Sequence, residues 1–538
     1  MVKGVTKETL DGISLEWFEK TSRSLRRESL LFKPNRRVHI PKANGKLRPL
    51  GIASPRDKII QQAMTMVMET ILEPSFLDSS HGFRPHRGCH TALRQVKSWT
   101  GVPWIIEGDI KSFFDMIDHH ILANLIDKHI AEKRLFNLYW KFVKAGYVEF
   151  NDKKQTYIAP DMGVPQGGIL SPLLSNVVLH ELDRYMETRR LKFEADSNGQ
   201  PPKVLNPEYY RISRLIQKCR KANARPELEA ALKLRNRVSS KIANPLGTRI
   251  TYVRYADDWL VGVWGPKSTA VSLKSDIADF LQSLKLTLSE EKTLITNTRR
   301  DKVKFLGTYI RRMTPIHGRL SHPSSAGHVR MTAPMDILTK RLREKGFWRP
   351  GPSGPRAKWI PNFVNWPIKD MILRFRTILS GLLNYYSFAD NIGSLSYIYF
   401  LLHGSLRSTI CRKLDMRIRE FYATFGPKIT IQIPTKAKGY VDLDFPRPSL
   451  KRTPMKFQGR LHLDKDPMGI KDWKVSTISA LDQCCANCAS TRDIEMHHLR
   501  HLKTMNAKLD SCTPPSPSPP PNSGGEGAGG GRKDDGLN

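Results

Sequence analysis

Residues 250–263 of this chain read Ile250-Thr251-Tyr252-Val253-Arg254-Tyr255-Ala256-Asp257-Asp258-Trp259-Leu260-Val261-Gly262-Val263. Two runs of β-branched, aromatic and aliphatic residues flank an adjacent acidic pair, Asp257 and Asp258. Such runs favour extended strands, so the pattern predicts a β-hairpin with the aspartates at its tip. Taken alone, the pair does not establish a site, because Asp is also favoured in turns that carry no chemistry.

A third aspartate changes this interpretation. Asp109 follows another apolar run, residues 104–106, which is predicted to be a strand. An aspartate at the end of one strand and an aspartate pair on a neighbouring hairpin can converge to hold two divalent cations about 4 Å apart. Mg²⁺ prefers carboxylate oxygens and keeps positions open for substrate phosphates. The pattern therefore indicates nucleotidyl transfer, which needs one metal at the attacking hydroxyl and one at the leaving pyrophosphate.

The charge of the chain points to a polyanionic partner. Its 538 residues include 87 Lys and Arg against 51 Asp and Glu, a formal net charge of +36, and such an excess most often serves nucleic-acid binding. Because 39% of the residues are hydrophobic, the chain can also bury ordinary cores. A ribosomal or RNA-packaging protein without chemistry would share this composition, so motifs decide between the two classes. Seven cysteines are too few for a disulfide framework and favour a reducing compartment.

The motifs around the aspartates resemble those of reverse transcriptases, and their order resembles that of group II intron-encoded proteins. Tyr255-Ala256-Asp257-Asp258 is similar to the reverse transcriptase signature. The other similar blocks are residues 48–52 and 80–85 (fingers), 109–118, 163–168 with 171–172, 288–293 and 305–307 (palm), and 381–387 in a maturase thumb called domain X. The resemblance implies an α+β right-hand polymerase with fingers and palm, an α-helical thumb and a small C-terminal ββα-type remnant.

The resemblance assigns the catalytic chemistry to four residues. Asp109 and Asp257 would be the main ligands of two Mg²⁺ ions, with Asp258 beside them. Lys292 stands where the family places a lysine that protonates the departing pyrophosphate. A lysine at the cap of a surface helix is the competing interpretation of Lys292.

By the same resemblance, five further residues would bind substrate: Lys42, Arg48, Phe114, Gln166 and Gly167. Lys42 and Arg48 would bind the triphosphate, where arginine offers a forked pair of donors and lysine a point charge. Phe114 would crowd a 2′-hydroxyl and so select deoxynucleotides, with plain core packing as the alternative. Gln166 and Gly167 would lie along the incoming nucleotide and the templating base, where a glycine permits close backbone approach.

The C-terminal region resembles the beginning of an HNH endonuclease domain. Cys485 and Cys488 would form half of a zinc site, and His497 and His498 stand where that family has its catalytic histidine pair. A structural zinc site needs four ligands, but no histidine follows His501 in this sequence. We therefore expect a partial domain with a doubtful zinc site and without DNA-cleaving activity.

Composition and motifs divide the chain into successive regions. Residues 1–320 are expected to form fingers and palm, with a basic helical insertion at about 190–248. The insertion is either a solvated surface or an RNA-contacting one, and its one-sided charge favours the second. We expect then a linker at 321–355, maturase domain X at 356–445, a basic DNA-binding-like segment at 446–483, the partial HNH or zinc-finger-like remnant at 484–512 and a disordered Pro/Gly-rich tail at 513–538.

The resemblance also implies a function. The protein would bind its own group II intron RNA, assist its splicing and copy RNA into DNA from dNTPs, with target DNA as a further partner. A splicing-only maturase that no longer polymerises is the alternative, and the presence of all the expected carboxylates favours the enzyme. Similarity to organellar maturases implies a mitochondrial location, with a chloroplast location as the alternative. The longest uncharged run, residues 162–179, contains glycines and prolines typical of a loop, so no membrane span is predicted.

Overall fold

The structure is a computed structural model, and it describes residues 4–6, 8–10, 13–41, 45, 47–151, 154–198, 203–222, 224–238, 240–243, 247–313, 327–435 and 439–453. The predictions for Lys42, Cys485, Cys488, His497 and His498 lie outside these residues. The same holds for the HNH-like remnant, the tail and all but the first residues of the 446–483 segment. Within the described ranges, no helix combines the length and the apolar character needed to span a bilayer.

The described chain contains both helices and strands, which gives the mixed architecture that the sequence predicts. The helices are α1 (Leu15–Arg26), α2 (Pro55–Leu72), α3 (Cys89–Lys97), α4 (Phe113–Met116), α5 (His119–Asp127), α6 (Lys133–Val143), α7 (Ser171–Asp196), α8 (Pro207–Lys221), α9 (Arg225–Arg237), α10 (Lys267–Ser283), α11 (Met335–Glu344), α12 (Pro361–Val364), α13 (Ile368–Tyr385), α14 (Leu395–Leu414) and α15 (Ile418–Phe425). The strands are β1 (Asn35–Pro41), β2 (Leu47–Ile52), β3 (Trp104–Gly108), β4 (Tyr147–Asn151), β5 (Lys154–Ile158), β6 (Lys203–Leu205), β7 (Lys241–Ala243), β8 (Arg249–Tyr255), β9 (Asp258–Trp264), β10 (Leu294–Asn297), β11 (Val303–Phe305), β12 (Thr308–Arg312), β13 (Val329–Thr332), β14 (Trp348–Gly351), β15 (Gly354–Ala357), β16 (Ile431–Thr435) and β17 (Gly439–Leu443).

The central sheet has the order β10-β3-β9-β8 and is antiparallel throughout. The predicted hairpin at residues 250–263 is its β8–β9 pair, so this prediction is confirmed. Every residue of β9 after Asp258 is buried, because side chains on both faces meet a core. One face belongs to the core that includes α7 and α10, and the other to a cluster shared with α3 and the β11-β12-β13 sheet.

A second four-stranded sheet, with the order β2-β1-β4-β5, forms the fingers side of the molecule. Strands β1 and β2 make an antiparallel hairpin in which Arg48 faces Ile40. Strand β4 joins the other edge of β1 in parallel, and β5 pairs with β4 in antiparallel fashion. This topology carries Arg48 on an outer strand, where its side chain is exposed.

The interval 321–355 differs from the predicted linker, because from Val329 onward it is built into packed structure. It contains β13, α11 and β14, and Leu338, Leu342 and Phe347 are buried in the same core as α13 and α14. The Pro- and Gly-rich residues 351–355 form the tip of the β14–β15 hairpin, where Gly351 pairs with Gly354. A turn needs the same residue types as a linker, which is the physical reason for the error.

The helical thumb contacts the palm through its tyrosines and through Asp390. The Tyr385 hydroxyl donates to the carbonyl oxygen of Leu306 over 2.5 Å, and the Tyr386 hydroxyl to that of Gly307 over 2.9 Å. Asp390 accepts from Lys97 on α3 over 3.0 Å. These contacts join α13 and the loop after it to the β11–β12 turn and to helix α3, which packs against the central sheet.

The basic insertion contains two helices, α8 and α9, in agreement with its predicted helical character. They share a small core formed by Ile212, Ile216 and Ala231. The first strand of the insertion, β6, pairs with its last strand, β7. The insertion was predicted to begin at about residue 190, but α7 continues without a break to Asp196, so the insertion begins after that helix.

Candidate active site

The tip of the β8–β9 hairpin is a two-residue turn made of Ala256 and Asp257. Tyr255 pairs with Asp258 across it, and Ala256 has a φ of 55°, a left-handed conformation that costs a non-glycine residue about 1–2 kcal/mol. Gly82 lies directly against this turn: a Cβ on Gly82 would stand 2.2 Å from the amide nitrogen of Ala256. The turn therefore depends on the absence of a side chain at residue 82.

Asp109 reaches the same edge of the sheet from β3. The register that pairs Gly108 with Trp259 puts Asp109 and Asp258 at the next facing positions. Gly108 is required for this packing, because a Cβ there would stand 2.1 Å from the ring of Trp259. The structure thus brings the three predicted aspartates together at the ends of β3 and β9.

Lys292 lies beside the carboxylates. Its Nζ donates to Oδ2 of Asp109 over 2.5 Å, and the residue sits in a turn that precedes β10 rather than at the cap of a helix. The helix-cap interpretation is therefore wrong. Its role as a proton donor to pyrophosphate stays a prediction.

The surroundings of Asp257 and Asp258 raise the pKa of both carboxyl groups. The Asp258 side chain is exposed, yet the surrounding protein desolvates it and the charges of Asp257 and Asp109 repel its own. Together these effects raise its pKa to about 6. Desolvation, followed by the charge of Asp109, also raises the pKa of Asp257, against the lowering effect of Arg48 and Lys292. A bound cation would relieve this repulsion, because it compensates the crowded negative charge.

The three carboxylates suit a divalent cation by their chemistry, but they are not drawn together into one set of ligands. Within the described part of the chain, no three His, Cys, Asp or Glu side chains are gathered closely enough to hold a metal ion. Asp109 is instead paired with Lys292. Carboxylate oxygens are the ligands that Mg²⁺ prefers, so exchange of Lys292 for a cation at Asp109 would complete the set.

The loop that carries Gln166 and Gly167 is docked on the fingers strand that carries Arg48. The amide of Gly51 donates to the carbonyl oxygen of Gln166 over 2.7 Å. Gly167 has a φ of 108°, and a Cβ there would stand 2.8 Å from the carbonyl oxygen of Gly51. The charge of Arg48 lowers the pKa of Asp257, so its guanidinium lies within electrostatic reach of the aspartates. The structure brings these three predicted residues to one cleft.

Phe114 is half-buried on the short helix α4. Its ring packs against the main core and meets the ring of Phe113 edge-on with centroids 5.5 Å apart. Its carbonyl oxygen accepts from the amide of Val164 over 2.8 Å, which fixes the backbone beside the Gln166 loop. A half-buried ring serves core packing and can also wall a substrate site, so both interpretations of Phe114 stand.

Sequence reasoning missed a cavity of about 400 Å³ beside Gln166. The Gln166 amide donates to Asp115 over 3.2 Å, and the Arg37 guanidinium lies 4.0 Å from the centroid of the Tyr147 ring. Asn35 is 5% exposed in the wall of the cavity, and among the described residues its Oδ1 has no hydrogen-bond partner. No local signal identifies these residues, since Arg37 belongs to a basic run that resembles a solvated surface.

Two family models match this chain. Residues 40–197 and 229–310 match the family model described as "Reverse transcriptase (RNA-dependent DNA polymerase)". Residues 326–454 match the model described as "Type II intron maturase". The residues left out of the first match, 198–228, include β6 and α8 of the insertion.

Three relatives extend the similarity beyond these domains. "Group II intron-encoded protein LtrA" of Lactococcus lactis subsp. cremoris is 36% identical over 431 residues, which cover 76% of this chain and 70% of that protein. "Uncharacterized 91 kDa protein in cob intron" of Schizosaccharomyces pombe is 36% identical, over 94% of this chain and 63% of that protein. "Uncharacterized mitochondrial protein ymf11" of Marchantia polymorpha is 29% identical, over 67% of this chain and 54% of that protein. The chain thus spans less than two thirds of the length of the last two relatives.

Proposed function

The chain belongs to the group II intron-encoded proteins, and we propose that it binds its own intron RNA, assists its splicing and copies RNA into DNA from dNTPs. The observation that carries the polymerase activity is the meeting of Asp109, Asp257 and Asp258 at one sheet edge. Arg48 and the Gln166 loop close the cleft from the fingers side. Copying into target DNA would give the intron its mobility.

In this proposal the carboxylates hold two Mg²⁺ ions, which would supply positive charge to the attacking 3′-hydroxyl and to the leaving pyrophosphate. To hold a cation, Asp109 would exchange its contact with Nζ of Lys292 for the metal. Lys292 would then be free to donate to the leaving phosphate oxygens. Arg48 binds the triphosphate from the other side of the cleft, since its forked donors match phosphate geometry.

Gln166, Gly167 and Phe114 would select the nucleotide. Gly167 keeps the backbone close to β2, and the Gln166 side chain is oriented by its hydrogen bond to Asp115. The neighbouring cavity, with the unpaired Oδ1 of Asn35 among its described residues, has room for a base. The ring of Phe114 would stand under the sugar and exclude a 2′-hydroxyl.

RNA binding would rest on the basic surfaces outside the cleft. In the insertion, Tyr210 is exposed, and the guanidinium of Arg214 lies 5.1 Å from the centroid of its ring. Exposed aromatic rings next to arginine suit base stacking, and lysine and arginine contacts to phosphates make affinity salt-dependent. The net charge of +36 supports the same role.

The second candidate function is that of a splicing-only maturase, for which these basic surfaces would suffice. The retained carboxylates, together with Gln166 and Phe114, favour the enzyme. For the location we propose the mitochondrion, since the Marchantia polymorpha relative is described as a mitochondrial protein. A chloroplast location is the alternative.

The test is Asp257→Ala, measured in two assays on one preparation. Primer extension on an RNA template should fall by several orders of magnitude, because charge stabilisation at the reacting oxygens is lost. Binding and splicing of the cognate intron at moderate salt should stay near the parental level, since phosphate contacts elsewhere provide the affinity. Asp279→Ala, which removes an exposed aspartate of α10, is the matched control and should leave both assays unchanged.

Two outcomes would contradict the proposal. A parent protein that promotes splicing but makes no cDNA would be a splicing-only maturase. A folded Asp257→Ala protein that loses splicing together with cDNA synthesis would show that the two functions do not use separate surfaces.

A further inference from the structure

Arg254, the residue before Tyr255, is charged but completely buried. Its side chain and that of Asp183 on α7 are both 0% exposed. The two form a side-on pair in which Nε donates to Oδ1 over 2.7 Å and Nη2 to Oδ2 over 2.6 Å. Desolvating two charges costs several kcal/mol, and an apolar pair of similar volume is often as stable. Stability alone therefore does not explain an ion pair at this place.

The guanidinium uses all five of its N–H groups, and one of them reaches the catalytic turn. Beyond the two bonds to Asp183, Arg254 donates to Oγ of Ser80 over 2.7 Å, to Oδ1 of Asn176 over 2.9 Å and to the carbonyl oxygen of Ala256 over 3.1 Å. Ala256 is the left-handed residue beside Asp257. A planar guanidinium whose five donors are all hydrogen-bonded can adopt only one orientation, so it fixes the position of the Ala256 carbonyl oxygen.

The partners of Arg254 are themselves fixed. Asn176 donates to the carbonyl oxygen of Gly82 over 2.9 Å, and the Tyr252 hydroxyl donates to Asp183 over 3.0 Å. Ser80 and Asn176 are as deeply buried as the ion pair. The turn therefore packs against Gly82 on one side and accepts a hydrogen bond from Arg254 on another. Asn176 is hydrogen-bonded to both Gly82 and Arg254.

We propose that Arg254, held by Asp183, is a positioning residue that sets the turn carrying Asp257 and Asp258 for cation binding. This rests on the proposed polymerase function. The guanidinium touches neither cation nor nucleotide; it acts through the carbonyl oxygen of Ala256. An apolar replacement could fill the same space, but it could not donate to that oxygen.

The decisive variant is the double replacement Arg254→Met with Asp183→Leu, which leaves no unpaired buried charge. We expect a folded protein with a lower thermal midpoint, because Tyr252, Asn176 and Ser80 lose buried hydrogen-bond partners. Its affinity for Mn²⁺, measured by electron paramagnetic resonance without nucleotide or RNA, should fall about 10-fold or more, as for other residues that support metal ligands indirectly. Its kcat in primer extension should fall by roughly 100-fold, the cost of displacing reacting groups by about 1 Å, with the KM for dNTP little changed.

Two further variants separate positioning from stability. Arg254→Lys keeps the charge but loses the fork, so Mn²⁺ affinity and kcat should both fall while the protein stays folded. Asp390→Asn breaks the ion pairs of Asp390 with Lys97 and Arg452, over 3.0 and 2.9 Å, at the base of the thumb. This control should lower the thermal midpoint and leave Mn²⁺ affinity at the parental value.

Parental Mn²⁺ affinity and kcat in the double variant would overturn the inference. If the double variant does not fold, the same parental values in Arg254→Lys would overturn it. A parent protein that binds Mn²⁺ but makes no cDNA would contradict the proposed function instead, and the Mn²⁺ comparison would still test the positioning.

Discussion

Replacing Gly82 by alanine should displace the catalytic turn with one methyl group. The added Cβ would stand 2.2 Å from the amide nitrogen of Ala256, 2.9 Å from the carbonyl carbon of Tyr255 and 3.0 Å from Cα of Ala256. All three contacts are backbone atoms, so no side chain can rotate away to make room. The turn itself must move, and Asp257 moves with it.

The size of the effect follows from these distances. Carbon and nitrogen atoms in ordinary contact lie about 3.5 Å apart, so the turn has to retreat by roughly 1 Å. A displacement of about 1 Å at reacting groups costs on the order of 100-fold in rate, which corresponds to about 2.7 kcal/mol of transition-state stabilisation. The buried bonds of Arg254 to the turn oppose the shift, so part of the cost should also appear as lower stability.

The assay is single-turnover primer extension on an RNA template with saturating dNTP. Gly82→Ala should be roughly 100-fold slower than the parent, with intron binding unchanged. Gly381→Ala is the matched control, because nothing lies within 4 Å of a Cβ at that position on α13, and alanine is a better helix former than glycine. A folded Gly82→Ala protein with the parental rate would refute the close packing of Gly82 against the turn.

Two other changes test the cleft and its support. Phe114→Val should allow incorporation of ribonucleotides, because removal of the ring opens space for a 2′-hydroxyl; primer extension with ribonucleotides alone checks it, and no gain over the parent would assign Phe114 to core packing. Burial lowers the pKa of His81 to about 4, whereas a histidine in an unfolded chain has a pKa of about 6.5. As the pH drops, the unfolded state therefore takes up the proton first. The stability of the folded protein falls between about pH 6.5 and pH 4. Urea unfolding at pH 7.5 and pH 4.5 should show that His81→Gln loses about 2–3 kcal/mol less than the parent over this interval, and equal losses would contradict the buried neutral imidazole.

The catalytic hairpin and its third aspartate could be predicted because their signals are local. A run of β-branched and aromatic residues on each side of Asp257 and Asp258 specifies two strands and a turn within 14 residues. Asp109 is also identified by a local signal, the apolar run at residues 104–106 that precedes it. Their meeting at one sheet edge needs only that β3 and β9 be neighbours, which the resemblance to reverse transcriptases supplied.

The interval 321–355 shows where local signals fail. Glycine and proline at 351–355 indicate a change of chain direction, but they do not distinguish a linker from the turn of a hairpin. Only the burial of Leu338, Leu342 and Phe347 shows that the interval belongs to the thumb core. That information lies in contacts with α13 and α14, which the sequence of the interval does not contain.

The support of the turn could not be predicted, because Ala256 in the turn and Arg254 beside it both break a local rule. Ala256 adopts a left-handed conformation that favours glycine, and Arg254 sits in a strand as a buried charge. Both are explained only by residues far away in the chain: Ser80 and Gly82 before α3, and Asp183 on α7. Natural proteins concentrate such conflicts at functional sites, and here they converge on the turn that presents Asp257. A residue that violates its local preference next to a recognisable motif therefore indicates, better than the motif residues themselves, which contacts hold the motif in place.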